Sequence, residues 1–140
     1  MTKNKLIIVS GYFNPLHKGH IEYFKLSKKL GDFLLVIINN DNQRKLKGSK
    51  KFMDQDEREI IISNLSLVDY TQISIDSDRS VAETLRLLYK KYSKKSELIF
   101  TNGGDQNVKD SPEKTVCSEL SIEFIDGMGD KIQSSSWLLE

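Results

Sequence analysis

The 140 residues predict an α/β fold: one doubly wound, parallel five-stranded sheet with helices on both faces, built as a single domain over residues 1–140. Three observations carry this. Short all-apolar runs such as Leu6–Val9 and Phe33–Ile38 lack the alternation of a half-exposed strand and suit strands buried on both faces, as in a helix-covered parallel sheet. Segments with apolar residues at helical spacing alternate with those runs, and right-handed crossovers then put helices on both faces. A hydrophobic content of 38% over this length supports one core but not two.

Taken in order, Leu6–Val9 is the first strand and ends at Ser10-Gly11. From Lys18 to Leu30 the positions Tyr23, Phe24, Leu26 and Leu30 recur at helical spacing, with Gly31 where a helix C-cap is expected. Phe33–Ile38 is the second strand. Asn39–Lys51 is polar, basic and without periodicity, so it reads as a loop carrying Arg44, Lys45, Lys47, Lys50 and Lys51. Asp54 followed three residues later by Glu57 has the spacing of a capping box, and Ile61, Leu65 and Val68 continue one helix face.

Tyr70–Ile75 alternates with β-branched residues and reads as a strand. Ser80 and Glu83 have capping-box spacing before a helix whose core face is Val81, Leu85, Leu88 and Tyr92, with Arg86, Lys90 and Lys91 near the solvated side. Glu97–Thr101 is the next strand, closed by Asn102-Gly103-Gly104-Asp105. Ser111-Pro112 places a capping hydroxyl before a proline at the first helical position, predicting a helix to about Leu120 that contains Cys117. Ile122–Ile125 is the last strand candidate, Asp126–Asp130 a turn, and Ser134-Ser135-Ser136 the opening of a final short helix.

Charge narrows the classes of partner. With 21 Lys+Arg against 20 Asp+Glu, the net charge of +1 excludes an unspecific nucleic-acid or membrane surface, which needs a basic excess. Cys117 is the single cysteine, so no intramolecular disulfide or multi-cysteine zinc site forms, and a reducing compartment fits best. The basic start, Met1 to Lys5, precedes only a short apolar run, well under a signal-peptide core or a membrane span. The expectation is a cytoplasmic protein acting on small molecules.

In a doubly wound, Rossmann-like sheet, ligands bind beyond the carboxyl ends of the strands. The polar, glycine- and charge-bearing segments after the first, second, fourth and fifth strands are the ones expected to converge there. The first of them, Ser10 to His20, holds the only two histidines of the chain, His17 and His20, three apart at a helix start. Imidazole donors, free helix-start amides and the helix dipole all stabilise negative charge, and Gly19 lets a phosphate approach the backbone. Capping histidines beside a turn glycine are the plain alternative. A metal site on the histidines is weak, since no third ligand shows recognisable spacing.

The run Gly11-Tyr12-Phe13-Asn14-Pro15-Leu16-His17-Lys18-Gly19-His20 closely resembles the G-x-F-[DN]-x-x-H-x-G-H signature of the HxGH nucleotidyltransferases. The resemblance covers nearly the whole chain: the basic loop, Asp56-Glu57-Arg58 and Val68-Asp69 are similar to the same regions of glycerol-3-phosphate cytidylyltransferase and heptose-phosphate adenylyltransferase. It implies transfer of a nucleoside monophosphate from CTP to a polyol or sugar phosphate with release of pyrophosphate. The alternatives are an ATP-dependent adenylyltransferase for a heptose or sugar phosphate and a non-catalytic nucleotide sensor.

On this resemblance His17 and His20 stabilise charge at the α-phosphorus, Lys47 is the catalytic lysine, and Arg58 holds the acceptor phosphate. Gly11, Tyr12, Phe13, Asn14, Gly19, Asn102, Gly103 and Asp105 surround the nucleotide. Lys131 and Ser134, Ser135 and Ser136 take the β- and γ-phosphates. Mg²⁺ arrives with the triphosphate, no residue being assigned as its ligand, and a homodimer is implied. Two departures stand out. The family's second lysine falls on Ser49, and Asn14 replaces the aspartate usual in glycerol-phosphate cytidylyltransferases, which leaves CTP and ATP both open.

Overall fold

A computed structural model describes residues 3–48, 50–102 and 111–126 of the chain. The elements are β1 (Asn4–Gly11), α1 (Lys18–Lys28), β2 (Phe33–Ile38), α2 (Asp41–Lys47), α3 (Gln55–Ser63), β3 (Tyr70–Ile73), α4 (Ala82–Tyr92), β4 (Ser96–Thr101), α5 (Pro112–Leu120) and β5 (Glu123–Ile125). The five strands form one sheet in the order β3-β2-β1-β4-β5, and every pairing is parallel. β1 is therefore central, and the chain reverses its direction of winding between β1 and β4.

Alternate residues of each strand face opposite layers. Leu6, Ile8, Leu35, Ile37, Leu98 and Phe100 join Leu85 and Leu88 of α4 and Val116 and Cys117 of α5 in one core. Ile7, Val9, Leu34, Val36, Ile38 and Ile99 join Tyr23 and Phe24 of α1 and Ile62 of α3 in the other. Both faces of the sheet are thus covered, as the all-apolar runs require, and each buried large side chain contributes about 1.5–3 kcal/mol. Cys117 is 1% exposed, and burial together with Glu113 pushes its thiol up to about 12. It is a packing residue.

Four local expectations change. Asn39–Lys51 is not a loop throughout, because Asp41–Lys47 is helical. Asn40 accepts from the Gln43 amide at 2.9 Å while the Gln43 side chain returns to the Asn40 amide at 2.9 Å, and Gly48 closes the helix with φ 82°. The buried side chains of α2 are Gln43 and Arg44, so no apolar period marked it in the sequence. α3 begins after Asp54, whose carboxylate accepts from the Glu57 amide at 2.8 Å. It ends at Ser63, however, and its core residue is Ile62 rather than the 39% exposed Ile61. Leu65 and Val68 pack from the turn that follows.

The Ser80/Glu83 capping box does not form. The Ser80 hydroxyl turns to Asp78, and α4 is capped instead by Asp76, which accepts from the amides of Glu83 and Thr84 at 2.8 and 2.9 Å. Finally, Gly31 is not the cap of α1, whose C-cap is Lys29. A Cβ at Gly31 would stand 2.8 Å from the Lys5 carbonyl oxygen, so glycine is required there for close approach to β1. Among the described residues no helix is long and apolar enough to cross a membrane. The turn after Asp126 and the helix expected from Ser134 lie outside the described residues.

Candidate functional site

β1 delivers Gly11 to the carboxyl edge of the sheet, and the chain then turns into α1 within seven residues. Phe13 adopts φ 52°, a left-handed conformation unfavourable for a bulky side chain, and the Asn14–Pro15 peptide is cis. Burial repays the unfavourable φ: Phe13 is 2% exposed and its ring meets His20 edge-on at 4.9 Å and Phe24 at 5.5 Å. A Cβ at Gly11 would lie 2.7 Å from that ring. The Phe13 side chain therefore packs behind His20 instead of facing an open site.

The two histidines cap their own helix. His17 is the N-cap of α1, and its Nδ1 accepts from the Gly19 amide at 3.1 Å; the His20 Nδ1 accepts from the His17 amide at 3.0 Å. An Nδ1 that accepts carries no proton, so the neutral ring is protonated on Nε2, and each imidazole keeps one outward donor. The rings stack at 3.9 Å between centroids. Burial, then His17, then Lys47 lower the His20 pKa to about 4, so His20 is a neutral donor at physiological pH. The expected supply of free helix-start amides shrinks accordingly. Gly19 donates to His17, while the amides of His20 and Ile21 bond the His17 carbonyl. The donors this turn leaves for a ligand are the two Nε2–H groups, beside the positive end of the α1 dipole.

Lys47, the last residue of α2, reaches the same place. Its Nζ lies 4.4 Å from the centroid of the Tyr12 ring, a cation–π contact, and it acts electrostatically on His20. The Tyr12 hydroxyl is buried without a hydrogen-bond partner. Tyr12 and Lys47 form one wall of a cavity of about 500 Å³ over the carboxyl ends of the strands. Gly11 and Asn102 also line it, and the Asn102 side chain donates to Asp126 at 3.4 Å. Asp78 to Val81 before α4 and Ser111 to Glu113 at the start of α5 also line the cavity. The sequence did not mark the segment after β3 as part of this cluster; its position beyond a strand's carboxyl end was the signal to use. The histidines are not lining residues of this cavity, and stand on the α1 side of the sheet.

Arg58 differs most from expectation. It is 1% exposed, and its guanidinium donates to the carbonyls of Met53 (3.2 Å), Tyr12 (2.7 Å) and Asn39 (2.7 Å) and to the Asp41 carboxylate (2.9 Å). Four of its five N–H groups are committed to protein. It joins the histidine turn, the end of β2, the start of α2 and the start of α3, and is not presented to an acceptor phosphate. Asp41, Asn39 and Gln43 complete that junction and were missed, because polar residues that bond remote segments leave no periodic trace. Asn14 also points elsewhere than expected, toward the backbone of Lys50, Phe52 and Met53. Gly103, Asp105, Lys131, Ser134, Ser135 and Ser136 lie outside the described residues, as does Ser49.

Known proteins place this arrangement. The cytidylyltransferase-like family model matches residues 8–119. FAD synthase of Picrophilus torridus is 34% identical over 116 residues, covering 83% of this chain and 77% of that protein. Bifunctional protein HldE of Aliarcobacter butzleri is 31% identical over 126 residues, 88% of this chain but only 25% of that longer protein. In three dimensions the lipopolysaccharide core biosynthesis protein from Thermoplasma volcanium GSS1 superposes with a TM-score of 0.68 at 27% identity, covering 88% of this chain and 95% of that one. With the parallel sheet, the histidine turn and these matches together, the chain belongs to the cytidylyltransferase-like family of nucleotidyltransferases.

Proposed function

We propose that this nucleotidyltransferase moves a nucleoside monophosphate from a Mg²⁺-bound triphosphate to the phosphate of a small-molecule acceptor. The observation that carries the reading is the histidine cap. It fixes two Nε2–H donors at the start of α1, with Lys47 brought near them by α2. An acceptor phosphate oxygen forms the new bond to the α-phosphorus as the bond to the bridging oxygen breaks, and pyrophosphate leaves with the bonding electrons. No covalent enzyme intermediate is needed, because positioning and charge stabilisation supply the catalysis. In-line displacement needs acceptor and leaving group on opposite sides of the phosphorus. The start of α1 lies on one face of the sheet, and the cavity is bounded by the starts of α4 and α5 on the other, so the acceptor would occupy the cavity.

Mg²⁺ is taken to enter with the triphosphate as part of the nucleotide substrate, where it offsets phosphate charge. The protein is taken to be cytoplasmic and a homodimer, and sedimentation analysis measures the second. CTP with a polyol phosphate is the pairing the sequence resemblance suggests. ATP is favoured by the relative named FAD synthase, since FAD is an adenylate joined to a flavin phosphate.

Incubation with ATP or CTP and a panel of flavin mononucleotide, glycerol-3-phosphate and sugar 1-phosphates, followed by pyrophosphate assay, separates these pairs. We expect turnover with at least one, and His17→Ala or His20→Ala to lower it about 100-fold or more. Near-wild-type turnover in both variants would refute the assignment. Nucleotide binding without pyrophosphate release from any pair would leave the sensor reading in its place.

A further inference from the structure

We propose that Asn14 is a positioning residue for Lys47, latching the connection between α2 and α3 onto the histidine turn. The proposal rests on Lys47 belonging to the transfer site. The Asn14 amide nitrogen donates to the Lys50 carbonyl at 2.7 Å, and its oxygen accepts from the amides of Phe52 and Met53 at 3.0 and 2.9 Å. These contacts span 36 to 39 residues of sequence and hold the strand of chain that leaves Lys47.

Packing does little to hold that stretch. Lys50 and Lys51 are exposed and Phe52 is 69% exposed, so the next apolar anchor after Lys47 is Met53. Arg58 ties the same two segments from the other side, through the carbonyls of Tyr12 and Met53. The histidine turn is thus bound to the lysine-bearing segment on both flanks of Phe13, at Tyr12 and at Asn14, and the Tyr12 ring lies under Lys47.

The Asn14 amide meets two demands at once, a donor toward one carbonyl and an acceptor toward two amides, which an ionised carboxylate cannot. An aspartate would keep the two accepted bonds but set a carboxylate oxygen against the Lys50 carbonyl oxygen, where the donor now sits at 2.7 Å. The residue at this position therefore reports how the Lys47 segment is held, rather than which base is bound.

The test is a double-mutant cycle on the full chain, using the best nucleotide and acceptor pair from the panel. Asn14→Asp and Asn14→Ala are each made with Lys47 intact and with Lys47→Ala, and thermal melts confirm that each variant is folded. With Lys47 present, kcat should fall about 10- to 100-fold, because misplacement of a catalytic group by about 1 Å costs that much, with KM for the triphosphate little changed. With Lys47→Ala the same substitution should cost little further. Limited trypsin digestion supplies a readout independent of activity: cleavage after Lys50 or Lys51 should accelerate in the Asn14 variants. Equal losses in both backgrounds, or unchanged cleavage, overturn the positioning role. Wild-type turnover in Lys47→Ala overturns it together with the role of Lys47, whereas failure of the whole transfer reading shows separately, as no pyrophosphate from the unmodified protein.

Discussion

Replacing Arg58 by methionine preserves much of the side-chain volume and removes all four guanidinium hydrogen bonds. Two of the deserted acceptors, the carbonyls of Met53 and Asn39, lose bonds made in buried surroundings. The Asp41 side chain is 31% exposed and can rehydrate. An unsatisfied buried acceptor costs about 1–3 kcal/mol, so the two together predict about 2–6 kcal/mol, with a central value near 4. Against a total stability of about 5–15 kcal/mol this is a large loss. With a urea m-value of about 1–3 kcal/mol per molar, the unfolding midpoint should fall by about 2 M. Arg58→Lys retains charge but not the planar fork, and should fall between methionine and wild type. Equilibrium urea unfolding followed by tryptophan fluorescence or circular dichroism measures both variants. A midpoint shift in Arg58→Met below about 0.5 M, accompanied by a raised acceptor KM at unchanged kcat, would refute the structural role and restore Arg58 to the acceptor phosphate.

Two further outcomes are expected. His20 should titrate near pH 4 in histidine ring NMR and show the Nε2–H tautomer when neutral; a midpoint at 6 or above contradicts the buried cap. Its ordinary value is 6.5, so the unfolded chain takes up this proton first as pH falls. The His20 contribution to stability is therefore complete above about pH 6.5 and declines as pH falls to about 4, which urea unfolding across that window measures. Gly11→Ala should drive Phe13 off its seat, since the new Cβ would meet the ring at 2.7 Å. Overpacking of this kind costs about 1–3 kcal/mol, and it should lower turnover through His20; an unchanged melting temperature with unchanged kcat would show that the ring gives way freely.

Much of this protein is written in local pattern. The apolar runs of β1 and β2 declare a sheet buried on both faces, and Ser111-Pro112 fixes where α5 begins because its hydroxyl and its φ both suit a helix start. The spacing of His17 and His20 marked the start of α1 and proposed a phosphate-binding turn there, with capping histidines as the alternative, and the structure shows both imidazoles capping that helix. Hydrogen bonds between distant segments were not legible. α2 buries Gln43 and Arg44, Asp76 caps a helix seven residues on, and Arg58 and Asn14 tie the histidine turn to segments at least 36 residues away. A polar side chain in sequence looks the same whether it meets solvent, substrate or a remote carbonyl. Sequence alone therefore determined the sheet, the helices with an apolar face and the histidine turn, all of which follow from periodicity and local capping, but not α2. Only the tertiary structure decided that His17 accepts from the Gly19 amide and His20 from the His17 amide through Nδ1, that Lys47 lies over Tyr12, and that Arg58 and Asn14 bond remote backbone, because partners far apart in the chain meet only when the sheet has brought them together.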